Sequence, residues 1–361
     1  MTATAALPFL TSSHLHCGGE LKLRTADFQV EEVPAYLPCG EGEHLFLWIE
    51  KENVSAEQLT QHLARSLRVS RQDIGVAGLK DRVAVTRQWV SVPGSAKDRV
   101  EEASTASVRI LKQQWHRNKL KTGHLKGNRF TIVLRNVHPE AADVLPQLLR
   151  EIDRSGVPNY FGDQRFGKEG ETLDLGMRLL RGAATPQEIP FARRKFLLRL
   201  ALSAVQSMLF NEVLAERLRD GSLNTVRLGD VMEVSASGGV FLVDDPLADQ
   251  ARLETGEILP TGPLFGPKMK APTGRTSELE QHVLASHDLT MEHFRKFAKL
   301  TSGTRRSLLL RSVDLQGEVD PAERSATLQF TLPAGAYATV LLREIMKQNQ
   351  IGDATESTSE D

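Results

Sequence analysis

Cysteine is nearly absent from these 361 residues: Cys17 and Cys39 are the only two. Two thiols exclude a disulfide framework and, without other ligands, a four-ligand zinc site. The ten histidines include no His-x-x-x-His pair and no Cys/His cluster, so no metal is expected. Net charge is also nearly absent, with 45 basic and 46 acidic residues leaving a formal −1. That balance excludes a uniformly basic nucleic-acid coat, and with 40% hydrophobic residues it excludes a disordered chain. No stretch approaches 18 uninterrupted apolar residues, and residues 1–13 lack the basic start of a signal peptide. No Gly-x-Ser-x-Gly elbow occurs, which removes support for serine-hydrolase chemistry. The composition predicts a soluble cytoplasmic protein of about two domains, kept in a reducing compartment and away from membranes.

Local patterning fills in the rest. Residues 44–50, 83–92 and 128–135 are rich in β-branched and aromatic side chains and predict strands. Between the first two, Ser55 and Gln58 have capping-box spacing, and Leu59, Leu63 and Leu67 predict a helix. Val144, Leu145, Leu148, Leu149 and Ile152 predict another, ending at Gly156 and shortened or kinked by Pro146. A long helix is expected over about 194–220, with Leu197, Ala201, Val205, Leu209 and Val213 on one face and Gly221 as its stop. Short helices are expected at 277–285 and 291–300, and strands at 307–313 and 326–332. Pro333 is expected to open a final helix through Val340, Leu341, Ile345 and Met346. Residues 351–361 are polar and acidic and are expected to be disordered. Strand-rich, then helix-rich, then strand-rich predicts an α+β fold with a middle insertion.

Three segments could carry chemistry. From 103 to 139 there is no Asp or Glu, while Arg109, Lys112, Arg117, Lys119, Lys121, Lys126, Arg129 and Arg135 all fall there. Cations spaced this way suit a phosphate backbone, and Trp115 and Phe130 could stack on bases; a solvated basic face is the bland alternative. In Gly75-Val-Ala-Gly-Leu-Lys-Asp-Arg82, the carboxylate of Asp81 is flanked by Lys80 and Arg82 on a turn that is not a Walker loop. Neighbouring cations keep a carboxylate ionised as a nucleophile or base, although an ordinary surface turn reads the same way. Asn159-Tyr-Phe-Gly-Asp-Gln-Arg-Phe-Gly167 mixes amides, aromatics and Arg165, which suits base and ribose recognition or a packed hinge.

Five segments in this order resemble the TruD family of tRNA pseudouridine synthases. They are Ala26-Asp-Phe-Gln-Val-Glu-Glu32; Gly78-Leu-Lys-Asp81 with Ala84-Val-Thr-Arg-Gln-Trp89; Lys126-Gly-Asn-Arg-Phe130; Pro158-Asn-Tyr-Phe-Gly-Asp-Gln-Arg-Phe-Gly167; and Phe330-Thr-Leu-Pro-Ala-Gly-Ala-Tyr-Ala-Thr339. The resemblance implies isomerisation of uridine 13 of certain tRNAs to pseudouridine, without cofactor or metal, by a monomer whose partner is tRNA. It implies Asp81 as the catalytic carboxylate and Lys22 as its basic partner. Phe28, Asn128 and Phe330 would bind the target nucleotide, and Phe130 would stack on the uracil. Lys119, Lys121, Lys126 and Arg165 are weaker candidates for RNA contact. The implied fold is a catalytic domain with a mixed, largely antiparallel sheet over 1–157 and 308–350, an inserted α/β lobe over 158–307, and a tail over 351–361. A silent RNA-binding protein would share the basic stretch without needing Asp81, and an N-glycosidase would use Asp81 but release free uracil.

Overall fold

In the computed structural model, which describes residues 7–311 and 313–348, period-two segments become strands and period-four segments become helices. The first part of the chain runs β1 (Gly18–Glu20), β2 (Phe28–Pro34), β3 (His44–Glu52), α1 (Ala56–Leu67), β4 (Gly75–Val76), β5 (Val85–Pro93), β6 (Val108–His116), β7 (Leu125–Val137) and α2 (Ala141–Ser155). Both capping-box bonds form at the start of α1: Gln58 N donates to Ser55 Oγ at 3.1 Å and Ser55 N to Gln58 Oε1 at 2.8 Å. Leu59, Leu63 and Leu67 are all buried. Pro146 sits inside α2 without ending it, and the buried stripe of Leu145, Leu148 and Ile152 continues past it.

The middle of the chain supplies β8 (Val157–Pro158), α3 (Glu171–Arg181), α4 (Phe191–Arg219), β9 (Val231–Val234), β10 (Val240–Leu242), α5 (Pro246–Glu254), β11 (Ile258–Leu264), α6 (Gly274–Ser286), α7 (Met291–Arg295), β12 (Thr304–Ser307) and β13 (Leu309–Leu310). The chain then returns as β14 (Val313–Asp320), β15 (Ser325–Pro333) and α8 (Ala338–Met346). Contacts divide it into two compact units: one holds 13–154 and 313–348, the other 7–12 and Ser155–Arg311.

The first unit is built on a sheet in the order β14-β15-β7-β2-β5-β3-β6, with β1 added to β7 and β4 to β5. Among the described strands only β2 and β5 run parallel, so the sheet is mixed and largely antiparallel, as expected. That parallel pair needs a crossover, which β3, α1 and β4 provide. Gly127 of β7 is required by close approach, since a Cβ there would stand 2.2 Å from the Leu332 carbonyl oxygen of β15.

One row crosses five strands with alternating charge. Arg109, Glu50, Arg87, Glu31 and Arg129 are direct cross-strand partners on β6, β3, β5, β2 and β7. Glu50 accepts from Arg87 Nε at 2.8 Å and from Arg109, while Glu31 lies 3.5 Å from Arg87 and 3.8 Å from Arg129. Opposite charges directly across a sheet lock its register. Much of the acid-free stretch is therefore already paired. Arg117 meets Glu41, and Arg135 holds Asp27 at 2.7 Å.

The second unit is organised by α4. Its most apolar stretch is long enough to cross a membrane by composition, yet 72% of it is buried inside the protein, which explains its apolarity as core. At Gly176, α3 comes so close that a Cβ would lie 2.2 Å from the Ala201 carbonyl oxygen. A four-stranded sheet, β10-β9-β11-β12, stands beside it, and a buried pair of Arg217 and Asp230 at 2.8 Å ties α4 to the segment before β9.

Several expectations need correcting. Pro333 does not open a helix: it ends β15 opposite Gly127, and the Ala334 amide donates to the Lys126 carbonyl, so the chain stays extended there and α8 starts at Ala338. The expected helix over 291–300 is confined to α7, and the expected strand over 307–313 is broken into β12, β13 and the start of β14. Strand β6 is largely exposed: Val108, Ile110 and Trp115 pack against the core, but the exposed run between Ile110 and Trp115 breaks the apolar alternation that marks a buried strand. The tail over 351–361 lies outside the described residues.

Burial raises the pKa of Glu50, but hydrogen bonds from Arg109 and Arg87 outweigh it and hold the carboxyl below its ordinary 4.5. A carboxylate depressed in the folded state adds stability that is full above its unfolded pKa and is lost as pH falls through the folded one. Glu50→Gln should therefore cost about 1–2 kcal/mol near pH 7. The gap from the parent protein should close as denaturant unfolding is repeated at pH values below 4.5.

Candidate active site

Alternation along β2 decides which groups meet. Phe28, Val30 and Glu32 point to one face and are buried, whereas Gln29 and Glu31 point to the other, which carries the charged row. On β3 the buried face carries Leu45, Leu47, Ile49 and then Lys51; a lysine thus occupies an inward position. On β7 Asn128 and Phe130 share a face, and Phe330 of β15 lies directly across from Phe130.

The turn between β4 and β5 enters this buried face. Lys80 Nζ donates to Glu32 Oε2 at 3.0 Å, and both side chains are buried. The other carboxylate oxygen of Glu32 accepts from the Trp89 amide at 3.3 Å. Burial pushes the Glu32 carboxyl above its ordinary value, and the Lys80 ammonium and Trp89 amide work against that rise. Lys51, fully buried, donates to the Asp81 carbonyl at 2.8 Å and to the Val54 carbonyl at 2.6 Å. Lys51 thus holds the backbone at Asp81, while the preceding residue, Lys80, is anchored through its own side chain to Glu32. Its own carboxylate is left reaching outward with 57% of the side chain exposed.

Lys22 completes the group. It takes a left-handed backbone, φ +60°, a conformation that costs a non-glycine residue about 1–2 kcal/mol. Its ammonium stands 3.8 Å from Asp81 Oδ2 and 4.4 Å from the centre of the Phe28 ring. Phe28 meets Phe130 edge-on at 6.2 Å, and Phe130 stacks on Phe330 at 5.2 Å with 24° between ring planes. Asp81, Lys22, Phe28, Phe130 and Phe330 therefore form one continuous chain of contacts. Phe130 is only 5% exposed, so in this state its ring belongs to an aromatic cluster. Asn128 Oδ1 is buried and has no hydrogen-bond partner among the described residues. A buried, unpaired amide oxygen beside these rings is a vacant acceptor for a donor such as a base N–H.

The other candidates are dispersed. Lys121 and Lys126 are exposed, and Lys119 donates to the Gln72 carbonyl. Arg165 belongs to the second unit, 3.2 Å from Ser207 Oγ and 5.7 Å from the Phe161 ring centre. A small depression lined by Gln29, Glu31, Arg87, Arg129 and Thr131 lies over the charged row, on the face away from Phe28. Reading the sequence for chemistry missed Glu32 and Lys51. Their signal was present: each interrupts an inward-facing apolar alternation with a charge.

Comparison with known proteins decides the family. The family tRNA pseudouridine synthase D (TruD) matches residues 6–186 and 192–345. The chain belongs to this family. It is 40% identical over 341 residues to the tRNA pseudouridine synthase D of Anaeromyxobacter dehalogenans, covering 94% of this chain and 96% of that protein. Against the Thermus thermophilus tRNA pseudouridine synthase D it is 41% identical over 344 residues, covering 94% and 92%. The crystal structure described as a putative tRNA pseudouridine synthase D (TruD) from Methanosarcina mazei superposes with a TM-score of 0.79 at 27% identity, covering 95% of this chain and 96% of that one. The α+β architecture is thus the family's own.

Removing one member of a buried pair strands the other. Lys80→Met should lower stability by about 3–5 kcal/mol, because Glu32 is left buried without its cation. The double variant Lys80→Met/Glu32→Leu should recover most of that loss. Denaturant midpoints of the three proteins measure both effects.

Proposed function

We propose that the chain isomerises uridine to pseudouridine in tRNA, with position 13 as the target and Asp81 as the catalytic carboxylate. Family membership over nearly the whole chain supports the reaction. The single observation that supports Asp81 is that it is the exposed acid of a turn whose backbone carbonyl is held by Lys51 and whose Lys80 is anchored on Glu32, with Lys22 beside it. In the reaction the C1′–N1 bond of the nucleoside breaks, the uracil turns, and C5 bonds to the same C1′. The C5 proton leaves and N1 gains one, so atoms balance without a cofactor. Asp81 promotes the first step by attacking C1′ or by accepting a proton from the sugar. A uridine within folded tRNA must first be everted, at a cost of a few kcal/mol. Stacking against an aromatic side chain returns about 1–3 kcal/mol of that. Phe130 is the ring for this role, with Phe28 and Phe330 packed around it as further parts of the nucleotide site, and Asn128 is the partner for the base edge.

The unit built on the nine-stranded sheet is, in this reading, the catalytic domain, and Ser155–Arg311 is an inserted lobe that assists in holding RNA. The enzyme acts as a cytoplasmic monomer and needs no metal. Lys119, Lys121, Lys126 and Arg165 contribute phosphate contacts.

The test is Asp81→Asn, which keeps shape and removes charge. Pseudouridine, mapped in a tRNA transcript after incubation, should fall at least a hundredfold, with tRNA affinity and melting temperature close to those of the parent. Activity within tenfold of the parent would remove Asp81 from the catalytic role.

A further inference from the structure

Over its first four turns, α4 buries one face and leaves another bare. Leu198, Ala201, Leu202 and Val205, at i, i+3, i+4 and i+7, face the core of their unit. Ala192, Lys195, Phe196 and Arg199 repeat that spacing on a different face, and all four are exposed. Phe196 is 64% exposed, and Phe191, one turn before Lys195, is 86% exposed. Single apolar residues on a surface are ordinary; an exposed phenyl ring set between two cations at helical spacing is a less common arrangement. Between 189 and 211 no acid occurs, while Arg193, Arg194, Lys195 and Arg199 do.

The neighbouring helix makes the contrast plain. On α3, Arg178 lies near Asp174 and Glu188, and Arg181 lies near Asp288. Arg194 donates to the Ile189 and Gln187 carbonyls and lies 5.6 Å from the Phe191 ring centre. Lys195 and Arg199 make no ion pair among the described residues. One helical turn separates them, and Phe196 sits between.

We propose that this face of α4 is an RNA-contact surface, in which Lys195 and Arg199 meet phosphates and Phe196 stacks on an unstacked base. It rests on tRNA being the substrate and adds a contact in a different unit from Asp81. Charge complementarity selects the partner: cations interleaved with aromatics match a polyanion that also offers π-faces. A second copy of the chain would bring like charges together across a two-fold axis. A lipid surface suits helices that can turn their apolar face to it, and the apolar face of α4 is committed to the core.

Three variants test it: Lys195→Gln/Arg199→Gln, Phe196→Ser, and Leu247→Ser as a control at a lone exposed leucine of α5. The probe is a uridine-containing tRNA transcript, titrated at several salt concentrations. The double variant should flatten log K against log[salt] by about one to two units. Phe196→Ser should weaken binding about five- to a hundredfold. In turnover, KM should rise in both while kcat at saturating tRNA stays at the parent value; the control should change nothing. Unchanged affinity and salt slope in both variants would overturn the proposal. So would a loss confined to binding of phosphatidylserine vesicles or to self-association in sedimentation. If the parent protein makes no pseudouridine, the synthase reading fails while the binding and salt measurements still judge this surface.

Discussion

The buried ion pair between Lys80 and Glu32, with Lys51 beside it, is the constraint on which the candidate site depends. Two charges taken out of water cost several kcal/mol each unless their geometry compensates, so they are poor devices for stability alone. Here they do something an apolar pair would not: they hold the Asp81 carbonyl and anchor Lys80, the residue before it, from two strands. Glu32 lies on β2 and Lys51 on β3, flanking β5 in the sheet, so the turn feeding β5 is clamped from both sides. The exposed carboxylate is thereby held on a rigid base while remaining open to a substrate.

Charge is allocated in two ways across this chain. The four arginines of the acid-free stretch are matched by acids, through the alternating row of Glu50 and Glu31 and the pairs of Arg117 with Glu41 and Arg135 with Asp27, while its four lysines make no ion pair among the described residues. A stretch that looks basic in sequence therefore presents fewer unpaired cations than its composition suggests. On α4, Lys195 and Arg199 also stay unpaired among the described residues, in a segment whose composition attracted no notice. Unpaired cations, not counts of Lys and Arg, decide where a polyanion can dock.

The sequence shows much of the sheet-bearing unit and, in the other, the helices α4 and α6 but not the four-stranded sheet. Leu59, Leu63 and Leu67 declared α1, and the apolar runs of β3, β5 and β7 declared the central strands, because each buries one face. Strand β6 escaped because as an edge strand it carries polar residues on both sides. Pro333 misled because its fixed φ suits a strand end as well as a helix start. The motif around Asp81 was legible by resemblance, but the clamp was not: contacts between Lys51 and Asp81 join residues 30 apart, and those between Glu32 and Lys80 join residues 48 apart. Only the fold brings them together. What remains readable beforehand is the anomaly itself, a lysine and a glutamate on faces that should be apolar.

The central claim is that this framework turns a uracil on its own sugar without releasing it. The most direct measurement uses a tRNA transcript tritiated at C5 of uridine, incubated with the intact protein. The account predicts tritium released to water in step with pseudouridine formed, one for one, and no free uracil. Free uracil accumulating beside abasic sites, or pseudouridine-free tRNA that keeps its label throughout, would contradict it.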